Sequence, residues 1–206
     1  MKTTLETRVF VGVTGASGSI YAERLVEVLR DLVPRIYLVA TATAIQVVRH
    51  ELKPHDQGFS LVRALGGDLD ERDRSVIRLC KNDDLFAPVA SGSSAPTAMV
   101  VLPCSMGSMA RINQGISSNL LERTADVCLK QGRKLIICPR ETPLSVVHLR
   151  NMLSLAEMGV HIVPAMPAFY QGPQTIGDMV DFVVGRVLEV LGLEHDLYPP
   201  WNARMR

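Results

Sequence analysis

Val9-Phe10-Val11-Gly12-Val13-Thr14-Gly15-Ala16-Ser17-Gly18 is the stretch on which the fold turns. A short apolar run bounded by turn residues reads as a buried strand, and this one passes directly into a loop of glycines and hydroxyls. Beyond the loop, Leu25, Val28, Leu29 and Leu32 recur at three- and four-residue spacing, while Glu23, Arg24, Glu27, Arg30 and Asp31 take the opposite face. That pattern predicts a helix with one stripe packed on a sheet. The alternation continues: Ile36 to Ala40, Val76 to Leu79, Ala98 to Leu102, Leu135 to Cys138 and His161 to Val163 read as strands. Helices are expected from Thr41 through Ile45, Val48 and His50 to a stop before Pro54, from a cap at Ser117 or Ser118 to about Gln131, from Ser145 to Met158, and from about Thr175 to Leu191 with Gly192 as the stop. Residues 55–75 read as a surface excursion with one apolar cluster, Phe59 to Leu65. Strands alternating with helices predict a doubly wound parallel sheet in a single α/β domain of residues 1–192, followed by a C-terminal tail of residues 193–206 that carries Trp201.

Composition narrows the function. Of 206 residues 47% are hydrophobic and 21% charged, so the chain can build a core and is not disordered. Lys and Arg number 22 against 21 acidic residues, which leaves no broad positive surface for nucleic acid or an anionic membrane. No apolar run approaches the ~20 residues of a membrane span, and Met1 to Arg8 lacks the apolar centre of a secretory signal, so a cytoplasmic location is expected. Cys80, Cys104, Cys128 and Cys138 have no C-x-x-C spacing and read as free thiols.

In an open parallel sheet, ligands bind where strands end and helix N-termini converge. The residues expected there are Thr14 to Gly18, Thr41, Ser105 to Ser108 and Arg140-Glu141. Bared N–H groups in the first loop are the best phosphate candidate, with a plain strand-to-helix turn as the alternative. Gly12, Gly15 and Gly18 do not spell G-x-G-x-x-G, Ala40-Thr41 supplies no acid for a dinucleotide ribose, and no G-x-x-x-x-G-K-[ST] loop exists, which disfavours NAD and a P-loop nucleotidase. Ala90-Ser91-Gly92-Ser93-Ser94-Ala95-Pro96 suits close approach to a ligand or another chain. Arg140-Glu141 reads either as charges aimed into the crevice or as a surface ion pair. Arg123 and Lys130, seven apart, share one helix face and can clamp an anion or simply face solvent. Arg186 and Tyr170 fit an anionic group, or else a capping arginine and a core tyrosine; Glu51 is a buried acid or the end of an exposed helix. Asp68, Asp70, Glu71 and Asp73 lack the glycine and terminal glutamate of a calcium loop and read as a solvated turn. The histidines make no H-E-x-x-H, and no metal site is expected.

Taken in order, Val11 to Gly18, Ala90 to Pro96, Pro103-Cys104-Ser105-Met106-Gly107-Ser108, Pro139-Arg140-Glu141-Thr142-Pro143 and Pro167-Ala168-Phe169-Tyr170 resemble the UbiX-type flavin prenyltransferases across nearly the whole chain. The resemblance implies a flavodoxin-like Rossmann fold, usually assembled as a dodecamer, with reduced FMN at a subunit interface. It also implies transfer of a dimethylallyl group from dimethylallyl phosphate to flavin N5 and C6, giving prenylated FMN for UbiD-type decarboxylases. Gly15, Ala16, Ser17, Thr41, Ser105, Met106, Gly107, Ser108 and Arg140 match FMN-contacting positions. Tyr170, Arg186 and, from a neighbouring subunit, Arg123 and Lys130 match positions around the prenyl phosphate. Ser17, Glu51 and Glu141 match positions of proton handling, and Trp201 matches a tail tryptophan near the site. Cations around the leaving phosphate fit chemistry without a metal, and Asp83-Asp84-Leu85-Phe86-Ala87 is not the D-D-x-x-D of metal-dependent prenyl transfer. The rival expectations are a flavin-dependent cysteine decarboxylase using His50, disfavoured by Ser91-Gly92-Ser93-Ser94-Ala95 where an A-S-A-N-T-like stretch is wanted, and an FMN carrier without chemistry of its own.

Overall fold

The computed structural model describes residues 7–52 and 60–199; Pro54, Phe59 and Trp201, named above, lie outside them. Six strands, β1 (Arg8–Val13), β2 (Arg35–Ala40), β3 (Ile77–Leu79), β4 (Ala98–Cys104), β5 (Lys134–Pro139) and β6 (His161–Ile162), form one sheet in the order β3-β2-β1-β4-β5-β6. Every pairing is parallel. Without the three-residue edge strand β3 the order is that of flavodoxin-like sheets, and with it that of the dinucleotide-binding Rossmann sheet. Both have one reversal point, here between β1 and β4.

The strands are apolar throughout because both faces are covered. Val9, Val11 and Val13 point into one core with Ile36, Leu38, Val100, Leu102 and Ile136, while Phe10, Tyr37, Val39, Met99, Val101 and Ile137 point into the other. Helices α1 (Ser19–Leu32), α2 (Ala42–Glu51) and α8 (Ile176–Leu191) cover the first core; α5 (Met106–Asn113), α6 (Leu120–Lys130) and α7 (Val146–Glu157) cover the second. The apolar stripe read on α1 is the buried one, with Leu25 and Leu29 fully inaccessible.

Several expectations need correction. From Ser60 onward the excursion is structured, with a short left-handed turn α3 (Ser60–Ala64) and a helix α4 (Glu71–Val76). Its own Leu61, Val62 and Leu69 are buried in the first core. Of its acids, Asp68, Asp70 and Glu71 are exposed as a solvated turn requires, Asp70 capping α4 by accepting from the Asp73 N–H at 2.8 Å, and only Asp73 departs from that reading, being buried against Arg30. Helix α6 is capped by Asn119, whose Oδ1 accepts from the Glu122 N–H at 3.0 Å, because Ser118 spends both its N–H and its hydroxyl on the Glu122 carboxylate. Helix α5, which follows β4, was not anticipated at all. Its signal is Ser105-x-x-Ser108, a helix cap three residues ahead of the N–H it accepts from. Burial raises the thiol pKa of Cys104 and Cys128 to about 12, as befits inert core thiols.

Candidate active site

The crevice opens where β1 and β4 part. Four strand ends are stitched together there: the Thr14 hydroxyl donates to Pro103 O at 3.0 Å and accepts from the Ser105 N–H at 2.7 Å. The Thr41 N–H donates to Val13 O at 3.0 Å, and the Arg140 N–H to Cys104 O at 3.3 Å. The loops after β1, β2, β4 and β5 are thus brought to one place, and with them Gly15, Ala16, Ser17, Thr41, Ser105, Met106, Gly107, Ser108 and Arg140.

Two helix N-termini meet in this crevice in different states. Helix α1 starts at Gly18, whose φ of 109° suits glycine and which offers no side-chain cap. Glu51, at the end of α2, supplies the missing acceptor: its carboxylate takes the Ser19 N–H at 2.8 Å and the Gly18 N–H at 3.0 Å. Burial works against that charge, yet the Ser17 hydroxyl and the Ser19 and Gly18 donors outweigh it and hold the Glu51 pKa below its ordinary value. Glu51 is therefore an anionic plug, and these first-loop N–H groups are not the open phosphate cradle the sequence suggested. Helix α5 is open. Ser105 Oγ accepts from the Ser108 N–H at 3.3 Å and donates to Ser108 Oγ at 3.0 Å. The Met106 and Gly107 N–H groups, in the first turn, have no intrahelical acceptor. A Cβ at Gly107 would meet nothing within 4 Å, so the space beside its α-carbon in that turn is open.

Arg140 stands beside this opening. Its Nε donates to Ser17 O at 3.1 Å, and among the described residues it has no carboxylate within ion-pair reach, so the ion-pair alternative with Glu141 is not realised. Glu141 is exposed and accepts from the Thr142 N–H at 3.0 Å. Sequence reasoning missed Tyr21. Its ring lies against Gly18, a Cβ there falling 2.9 Å from Tyr21 Cδ2, and its phenol pKa is raised by burial, opposed by the charge of Arg140. A polar-tipped aromatic in the first turn of α1 was the available signal. Gly15 permits a close approach of backbone to α2, since a Cβ there would lie 2.5 Å from Thr43 Cγ2.

The remaining singled-out cations lie elsewhere on the protomer. Arg123 and Lys130 do share a face of α6: both bind Asp126, at 2.9 and 3.4 Å. Arg123 also donates through Nε to Ala90 O at 3.1 Å, which holds the small-residue segment against α6. Gly92 is needed in that segment, because a Cβ would fall 2.8 Å from Gln131 Nε2. Arg186 is exposed on α8 and pairs with Glu189, whose other oxygen accepts from the Tyr198 hydroxyl at 2.7 Å. Tyr170 is half exposed rather than a core residue, its ring edge-on to Phe182 at 5.9 Å, one turn of α8 from Arg186. Arg186 borders a cavity of about 430 Å³ walled by Val163, Pro164, Met166 and Phe182. Among the described residues no group of three His, Cys, Asp or Glu can hold a metal ion, and no helix is long and apolar enough to cross a membrane.

The flavoprotein family pattern matches residues 2–188. The flavin prenyltransferase UbiX of Halalkalibacterium halodurans is 48% identical over 192 residues, covering 93% of this chain and 92% of that protein. Among solved structures, a dodecameric FMN-dependent UbiX-like decarboxylase from Escherichia coli O157:H7 superposes with a TM-score of 0.82 at 38% identity, covering 96% of this chain and all of that one. AnUbiX, solved in complex with FMN and dimethylallyl pyrophosphate, superposes with a TM-score of 0.85 at 35% identity, covering 96% and 98%. With its parallel sheet, its strand-end crevice and these full-length likenesses, the chain belongs to the flavoprotein family and, within it, to the UbiX flavin prenyltransferases.

Proposed function

We propose that this chain transfers a dimethylallyl group from dimethylallyl phosphate to reduced FMN, that prenylated FMN then passes to a UbiD-type decarboxylase, and that the enzyme works in the cytoplasm as a homo-oligomer, a dodecamer. The observation that carries the reading is the crevice between β1 and β4, where Arg140 has no internal counter-ion and the first turn of α5 presents open N–H groups. That donor set suits the ribityl phosphate of FMN, with Arg140, Thr41, Ser105 and Ser108 holding it and Gly15 to Ser17 lining the ring system. When bound, the reduced flavin supplies an electron-rich N5 and C6.

The chain's own part is electrostatic and positional. Loss of phosphate from an allylic ester builds negative charge on the leaving group, and guanidinium and ammonium groups stabilise it most as the bond breaks. Arg186 and Tyr170 from one protomer, with Arg123 and Lys130 from a neighbour, supply those groups. The released phosphate is the base that takes the C6 proton, with Glu141, exposed next to Arg140 in the chain, assisting. Ser17 donates to the Glu51 carboxylate, so Glu51 fixes the Ser17 hydroxyl and stays ionised at neutral pH. Support for assembly comes from α7, where Val146, Val147, Leu149 and Leu153 are each more than half exposed, and from Phe86, which is wholly exposed. The dodecameric E. coli relative fits the same reading.

Anaerobic incubation of the purified chain with reduced FMN and dimethylallyl phosphate in EDTA should yield a flavin heavier by one C5H8 unit. Recovery of unmodified flavin contradicts the proposal. The cysteine decarboxylase alternative predicts instead loss of carbon dioxide from a cysteine-ended substrate.

A further inference from the structure

Thr14 is almost fully buried, at 1% exposure, and is not itself among the residues matched above to flavin or prenyl donor. Its position is nonetheless central. Thr14 ends β1, Ser105 begins α5, and the two meet at the point where the strand order reverses. Three hydrogen bonds close that gap: Thr14 N–H to Pro103 O at 3.2 Å, Thr14 hydroxyl to the same oxygen at 3.0 Å, and Ser105 N–H to Thr14 Oγ1 at 2.7 Å. One hydroxyl thus donates and accepts at once, which a methyl group of the same size cannot do.

Ser105 N–H lies just outside α5, so no carbonyl within that helix is placed to accept from it. With Thr14 Oγ1 as acceptor, the direction of the Ser105-Met106-Gly107-Ser108 turn is set from β1, and so is the aim of the Met106 and Gly107 N–H groups. We infer that Thr14 is a positioning residue for the flavin phosphate: its side chain orients the first turn of α5 before any ligand arrives. This rests on the FMN reading above and deepens it. Preorganisation of this kind acts on binding, since the turn need not be ordered when the ligand enters.

The test compares full-length wild type, Thr14→Val and Thr14→Ser by fluorescence titration with FMN, by steady-state kinetics, and by hydrogen exchange at the Ser105 amide in flavin-free wild type. Thr14→Val should weaken FMN binding about tenfold, the effect of one lost buried hydrogen bond, while Thr14→Ser stays within about twofold of wild type. The KM for FMN should rise in Thr14→Val with kcat kept. A merely structural role would lower kcat through loss of folded enzyme and leave KM alone. The Ser105 amide should be protected without FMN. Wild-type affinity in Thr14→Val, or unprotected exchange at Ser105, overturns the inference. If Thr14→Val does not fold, the Ser105 amide and the Thr14→Ser titration decide it. Wild type that takes no FMN while its Ser105 amide is protected contradicts the function reading instead.

Discussion

Arg140 and the pair Arg123 and Lys130 carry the same charge in opposite circumstances. Arg140 reaches the crevice on a backbone carbonyl of the first loop, with no carboxylate within ion-pair reach among the described residues, whereas Arg123 and Lys130 divide one carboxylate, Asp126, between them. Arg186 resembles the second case through Glu189. A cation left without an internal partner can take an incoming anion at once. A cation paired on its own helix surface loses little when the pair exchanges for a better one, because exposed ion pairs contribute only ~0–1 kcal/mol. On the function proposed above, one half of the site is ready in a single protomer and the other is completed when protomers meet.

The largest effect expected is on the chemistry itself. Glu141→Gln should keep FMN affinity while slowing product formation about 100-fold or more, the usual weight of a proton-transfer group; a variant that loses FMN outright makes Glu141 structural. Next, Arg140→Met should weaken FMN binding roughly 10- to 100-fold, as for a lost charge-assisted hydrogen bond of about 1.5–3 kcal/mol. Arg123→Ala should leave FMN binding intact and lower kcat/KM for dimethylallyl phosphate by a similar factor, through a raised KM. If both variants damage FMN binding equally, the contrast between the two halves is false. Gly15→Ala should cost about 1–3 kcal/mol of stability from overpacking against Thr43, seen as a lower thermal midpoint together with weaker FMN binding. The smallest effect concerns Glu51. Its folded pKa lies below the ordinary 4.5, so the stability it adds is present at neutral pH and is lost only as pH falls below 4.5 and on through the lower folded value. Glu51→Gln should therefore melt a few degrees lower than wild type at pH 7, and the gap should close in acid.

The parts of this picture legible in sequence are those with a period or a motif. The six strand runs and the stripe on α1 carry such a pattern, because strands buried on both faces must be apolar throughout. The common face of Arg123 and Lys130 follows from seven-residue spacing on a helix, and Asp126 between them confirms it. Helix α5 was missed because eight residues opening on Ser-Met-Gly-Ser carry too little apolar pattern to show. The role of Glu51 was unreadable for a different reason: the acid stands 33 positions from Gly18 in the chain, and only the packing of α2 beside the first loop makes it a cap for α1. Side chains that serve a distant backbone leave no local trace.

The central claim is that the site is divided between protomers, and coexpression of two crippled variants tests it most directly. Arg140→Met and Arg123→Ala, assayed at FMN and dimethylallyl phosphate concentrations low enough that each alone is nearly inactive, should in mixed particles regain about a quarter of the wild-type rate, since random pairing leaves about one interface in four with both halves intact. Mixed particles of the same size as wild type that regain nothing above the separate variants would contradict it.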